Sequence, residues 1–178
     1  MIFSSSACGL GARVYLLDTN LERLRYLSDV RPPNCFPVVS SPANIRKYLQ
    51  EADLVVGAVL IPGATAPRLV TRDMLSGMRP GSVIVDMAAE TGGNVEGSVA
   101  GETVIVNGVT IIGDGNWANY VARDASQMYA ANPCSLIEEV WHKDEKRLVL
   151  NFEDDIIQGC VITHEGMIVN QTIKNLKR

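Results

Sequence analysis

Two nearly continuous apolar runs constrain this chain most: "DLVVGAV" at 53–59 and "SVIVDMA" at 82–88. Strands that lie in a parallel sheet with helices on both faces read this way, because neither face meets water. The rest of the first half fits the same plan. "GARVYLLDTN" gives a strand over Arg13–Leu17 that ends on Asp18. Leu21, Leu24 and Leu27 follow at helical spacing, with Asn20 placed to cap. "CFPVV" at 35–39 is a short strand, and Ser41 with Pro42 opens a helix over 43–50. Thr71 caps a helix over 72–78 in which Met74 and Met78 face the core. Thr103–Val106 and Thr110–Gly113 form a hairpin about Asn107–Gly108. A long helix runs from about Ala122 to Trp141, and 147–170 reads as short strands with a turn at His164–Gly166. Alternating βα units of this kind specify an α/β fold, a doubly wound parallel sheet.

Composition excludes several classes. The net charge of −4 argues against nucleic acid as a partner, which requires a basic surface. The longest apolar run, 54–62, falls far short of the ~20 residues of a membrane span. The four cysteines form no CxxC pair and there are two histidines, so reduced structural cysteines are expected, with no metal site.

In doubly wound sheets an acid at the tip of the second strand accepts both ribose hydroxyls of an adenosine, and it repels a 2′-phosphate. Asp18 stands at such a tip. It normally follows a glycine-rich phosphate loop by ~20 residues, yet here only "MIFSSSACGLGARVYLL" precedes it. The alternative for Asp18 is a solvated acid at the start of the next helix.

The run "LVVGAVLIPGATAPRLVTRDMLSGMRPGSVIVDMAAETGGNVE", 54–96, resembles the NAD(H)-binding domain shared by alanine dehydrogenase and the alpha subunit of proton-translocating NAD(P) transhydrogenase. The resemblance extends from Gly9 to about Asn170. "DTNLERLRYL" and "SSPANI" look like alanine dehydrogenase. "GGNVE", "GVTIIGDGNWANYVARDASQMYAANPCSLIEEV" and the tail "LVLNFEDDIIQGCVITHEGMIVN" look like transhydrogenase, and the tail is expected to be missing from alanine dehydrogenases. The C-terminal half favours transhydrogenase.

The resemblance implies a set of cofactor-binding residues and no catalytic one. Asp18 and Arg23 lie at the adenosine ribose and Ser40 at the adenine side. Backbone groups of Val59 and Leu60 hold the ribose or nicotinamide, and Ile61–Leu69 is a loop that closes over the nucleotide. Met87, Ala88, Ala89 and Glu90, with Asp114, Gly115, Asn116 and Trp117, line the nicotinamide pocket. Glu90 takes the place of a catalytic aspartate of alanine dehydrogenase. Trp117 departs from the small apolar residue or methionine of the family, so its ring either stacks on the nucleotide or blocks it.

By the same resemblance "GLGA", 9–12, is the C-terminal turn of the first helix and not a phosphate cradle. The first strand and the glycine-rich loop are then missing from the sheet, and the second and fourth strands face a gap. "MIFSS" as a substitute strand, a strand from another chain, or a chain that is a piece of a longer protein would each account for this; the last is expected. The domain expectation is 1–146 as a truncated Rossmann-like NAD(H)-binding domain and 147–178 as a transhydrogenase-type extension. The function expected is the NAD(H) module for hydride transfer to NADP(H) held on a partner domain, inactive alone. Membrane-embedded transhydrogenase partners, a homodimer, and a soluble chain on a cytoplasmic or matrix membrane face are implied with it. A fragment of alanine dehydrogenase and a non-catalytic interaction domain are the alternatives.

Overall fold

The computed structural model describes residues 2–61 and 63–176, so Pro62 and Met1 of the sequence reading lie outside it. The chain divides into two compact units, 1–115 and 116–178.

The first unit runs α1 (Ile2–Gly9), β1 (Val14–Asp18), α2 (Leu21–Val30), β2 (Cys35–Val39), α3 (Pro42–Leu49), β3 (Leu54–Gly57), α4 (Arg72–Leu75), β4 (Val83–Asp86), β5 (Thr103–Val106) and β6 (Val109–Ile112). β1 and β2 pair in parallel, Asp18 opposite Val39. A separate four-stranded sheet has the order β3-β4-β6-β5, parallel except for the β5–β6 hairpin. At the hairpin turn Asn107 (φ 53°) and Gly108 (φ 78°) both take positive φ, the requirement of a tight primed turn.

Among the described residues β1 pairs only with β2 and β3 only with β4. Each therefore has an unpaired edge among the described residues. Leu54 at the start of β3 is 51% exposed and Phe36 of β2 is 41% exposed, although parallel strands are normally covered. α3 joins the two sheets: Tyr48 packs on Tyr15 of β1 at 4.2 Å between ring centroids, while Leu49 is buried in the core under the four-stranded sheet. That core holds Val70, Met74, Leu75, Met78, Ile84, Val95, Val109 and Ile111. Met78 joins it from just beyond α4, which is shorter than the expected 72–78 helix.

Residues 2–9 form a helix and not a substitute strand. The cause is the turn that follows. Gly11 takes φ 88°, its N–H donates to Cys8 O (3.0 Å), and the Ala12 N–H donates to Ala7 O (3.0 Å). This left-handed cap satisfies the last carbonyls of a helix, and Asn34 Nδ2 braces it by donating to Cys8 O and Ala12 O. The glycines of "GLGA" thus end a helix, as expected.

All four cysteines are free. Cys8 of α1 and Cys35 of β2 are buried side by side. Burial pushes the Cys35 thiol up, and contact with Cys8 adds to this against the opposing pull of the Arg31 guanidinium. A raised folded value means that the unfolded chain gives up its proton first. The stability tied to Cys35 is therefore complete below the ordinary thiol value and is lost as pH rises through the raised one. Urea unfolding along this alkaline range should show a falling midpoint, and Cys35→Ala should flatten the fall.

The second unit carries α5 (Ala122–Val140), a ribbon of β7 (Trp141–His142) with β8 (Arg147–Leu148), α6 (Asp155–Cys160), a ribbon of β9 (Thr163–His164) with β10 (Met167–Ile168), and α7 (Gln171–Leu176). α6 stands where short strands alone were expected. Its signal is Asp154, whose carboxylate accepts the N–H groups of Ile156 (2.8 Å) and Ile157 (3.2 Å). The turn between β9 and β10 falls at Glu165–Gly166, as read. Among the described residues no helix is long and apolar enough to cross a membrane.

Candidate functional site

In a parallel sheet the carboxyl ends of all strands share one rim, and ligands of open α/β sheets bind there. β1 and β2 bring three expected residues to their rim. The Ser40 N–H donates to Asp18 O at 2.8 Å, which locks the two strand ends together. One Asp18 carboxylate oxygen accepts the Asn20 N–H (2.9 Å); the other lies 3.7 Å from Arg23 Nε. Asn20 itself caps α2 by accepting the Arg23 N–H. The carboxylate is thus oriented by its own turn yet remains partly open, at 26% side-chain exposure. Each oxygen has a lone pair left for a hydroxyl donor. The ion pair with exposed Arg23 adds little stability.

The rim of the second sheet is built on two buried polar residues that the sequence reading missed. Asp86 ends β4 and is fully buried. Its Oδ1 accepts the N–H groups of Ala88 and Asn94, both at 3.1 Å, and Oδ2 accepts that of Val95 at 3.2 Å. Three amides around one carboxylate shape the turn 87–95. Gly93 is required beside it: φ is 76°, and a Cβ there would lie 2.8 Å from Asp86 Oδ2. Asn94, 1% exposed, accepts the Val59 N–H and donates to Val59 O and Pro67 O. A lone acid at the carboxyl end of an apolar strand, followed by "GGN", was the available signal.

The other expected residues gather on this rim by degrees. The Met87 N–H donates to Gly57 O (2.8 Å), and Ala88 is fully buried beneath. Glu90 is exposed and sits so close to Gly115 that a Cβ on the glycine would stand 2.5 Å from Glu90 Cδ. An open groove of about 870 Å³ is lined by Leu60, Ile61, Gly63, Ala64, Thr65, Glu90, Thr91 and Gly92. Of the expected residues it takes Leu60 and Glu90. Val59, Met87, Ala88, Ala89, Asp114 and Gly115 are not on its walls. The 61–69 segment is tied to the turn by Ala66 N–H donating to Thr91 O (2.8 Å), and Thr65 occupies the space that a Cβ on Gly92 would need.

Asn116 and Trp117 belong to the second unit. They open a short 3-10 turn, Trp117–Val121, in which the Trp117 and Tyr120 rings lie 6.2 Å apart. The Trp117 indole N–H is shielded and has no hydrogen-bond partner among the described residues.

A dinucleotide fits these groups in part. The Asp18 rim suits a ribose diol. The groove presents hydroxyls, apolar side chains and the carboxylate of Glu90 as its charged wall group, which suits a cationic or neutral ring better than a phosphate. Gly9 and Gly11 lie at a helix C-terminus and offer no pyrophosphate cradle.

The chain is similar in sequence and fold to known proteins. The NAD(P) transhydrogenase subunit alpha of Cereibacter sphaeroides is 40% identical over 127 residues, 71% of this chain and 24% of the relative. The alanine dehydrogenase of Halomonas elongata is 35% identical over 171 residues, 94% of this chain and 46% of the relative. A solved L-alanine dehydrogenase, 32% identical, superposes with a TM-score of 0.77 over 98% of this chain and 48% of its own. The chain therefore spans less than half the length of each of these proteins. The tail 148–170 does not separate the two enzymes as expected, because a structure that covers 98% of this chain includes a counterpart of it. Residues 4–171 match the model of the alanine dehydrogenase/PNT C-terminal domain, and the chain belongs to that family.

Proposed function

We propose that this chain is the NAD(H)-binding part of an NAD(P) transhydrogenase, with NADP(H) held on a partner domain. The observation that carries the nucleotide reading is the Asp18 carboxylate, set at the carboxyl end of β1 beside Ser40 and oriented by the Asn20 N–H. Family membership supports nicotinamide-nucleotide binding. The 40% identity to a transhydrogenase alpha subunit supports the enzyme class.

In this reading Asp18 accepts both hydroxyls of the adenosine ribose, and its charge disfavours a 2′-phosphate. Ser40 borders the adenine. The groove along Leu60 and Glu90 takes the nicotinamide end, where a carboxylate favours the cationic oxidised ring over the neutral reduced one. The bound cofactor supplies the hydride chemistry, and these residues bind and orient it. Met87, Ala89, Asp114 and Gly115 belong to the same end of the site, with Ala88 buried behind it. A homodimer and a membrane-embedded partner belong to the same proposal.

Alanine dehydrogenase is the second reading, favoured by the match over 94% of the chain. A parent protein that reduces NAD with alanine, and exchanges no hydride between NADH and an NADP analogue, would establish it.

Titration of the purified chain with NADH, followed by tryptophan quenching, tests the binding. Saturable quenching is expected. Asp18→Ala should weaken NADH by roughly 10-fold or more, the worth of hydrogen bonds to a charged group, and should narrow the preference over NADPH. A folded chain that fails to bind NADH would overturn the proposal.

A further inference from the structure

Past the end of β3 the strands part, and backbone groups there have no ladder to join. Val59 is the exception. Its N–H donates to Asn94 Oδ1 at 3.0 Å and its carbonyl accepts from Asn94 Nδ2 at 3.0 Å. One side-chain amide thus does for Val59 what a neighbouring strand would. The second Nδ2 hydrogen reaches Pro67 O at 2.9 Å. The Asn94 carbonyl accepts the N–H groups of Leu69 and Val70, and its own N–H goes to Asp86. Every polar atom of Asn94 is used. The partners fix the amide's orientation, because a flipped amide would turn its NH2 toward the Val59 N–H.

We propose that Asn94 is the positioning residue of the nicotinamide end of the site; this rests on the nucleotide reading above. It is buried and does not face the groove. It acts through Val59, which sets the direction of Leu60 on the groove wall, and through Pro67 and Leu69, which anchor the far end of the 61–69 segment. Two segments that flank the groove are thereby referred to the rigid end of β4. An acid in its place would lose both donors and set a charge against two carbonyl oxygens. Gly57 permits the arrangement: a Cβ there would lie 3.1 Å from Asn94 Cβ.

The test uses two variants. Asn94→Asp removes the donors, and Gly57→Ala presses on the same side chain from β3, so the second decides if the first does not fold. Amide hydrogen exchange of the ligand-free chain should rise roughly 10–100-fold across residues 59–70, as expected for the loss of two or three hydrogen bonds. NADH affinity should fall by a similar factor, while affinity for 5′-AMP, which probes the Asp18 end alone, should not change. A general structural role would weaken both ligands together, and that result overturns the proposal. So does unchanged exchange over 59–70 in both variants, whatever the ligands do. A wild-type chain that binds neither NADH nor AMP overturns the nucleotide reading instead, and the exchange data still judge the clamp.

Discussion

Replacing Asp86 with alanine is expected to destabilise the first unit by about 3–6 kcal/mol, a large share of a typical domain's ~5–15 kcal/mol. The carboxylate is fully buried and accepts the N–H groups of Ala88, Asn94 and Val95. Removing it leaves three buried donors without an acceptor, each worth about 1–3 kcal/mol, with water in the new cavity recovering part. Asp86→Asn should lose less. An amide keeps the Oδ1 contacts to Ala88 and Asn94 but turns an NH2 group toward the Val95 N–H. Urea unfolding measures both. A midpoint for Asp86→Ala close to the wild-type value would show that the turn 87–95 stands without its acid.

Gly113→Ala should cost about 3 kcal/mol or more, at the upper end of overpacking. Gly113 follows β6, and the carbonyl oxygen of Val99 occupies the place of its missing Cβ. The backbone cannot give way easily. Gly113 N–H donates to Glu102 O (2.8 Å), and its carbonyl accepts from Gly101 N–H (2.9 Å). Relief of the clash requires residues 99–102 to withdraw and break both bonds. Thermal unfolding reads the effect, with Gly9→Ala as the control, since a Cβ there meets nothing within 4 Å. A Gly113→Ala protein as stable as the wild type would mean that the 99–102 backbone moves at little cost.

Local chemistry made much of the fold legible. Asn20, Ser41 and Thr71 cap helices where their side chains can accept the N–H groups left over at a helix start. Asn107–Gly108 turns a hairpin because those residues tolerate positive φ. The run of apolar residues at 83–85 is a strand between two others, and the glycines of 9–12 end a helix. These features depend on a few neighbouring residues, so the amino-acid order by itself determined them, together with the position of Asp18 at a strand tip.

Tertiary structure decided the rest. Asp86 and Asn94 look like an ordinary strand end and turn in one dimension; the side-chain partners of Asn94, Val59 and Pro67, lie 35 and 27 residues away, and Asp86 is recognisable as the acceptor of three amides only once the turn 87–95 has folded back on it. Met78 enters the core from outside a helix, because the shape of the core and not helical spacing selects it. Leu60 and Glu90 share a groove because two loops return to the same rim, while Val59 and Ala88 on those loops support it from behind. Spacing along the chain names candidates for a site. Which of them face a ligand and which hold the others in place is set by long-range hydrogen bonds and burial, and these exist only once the sheet has formed.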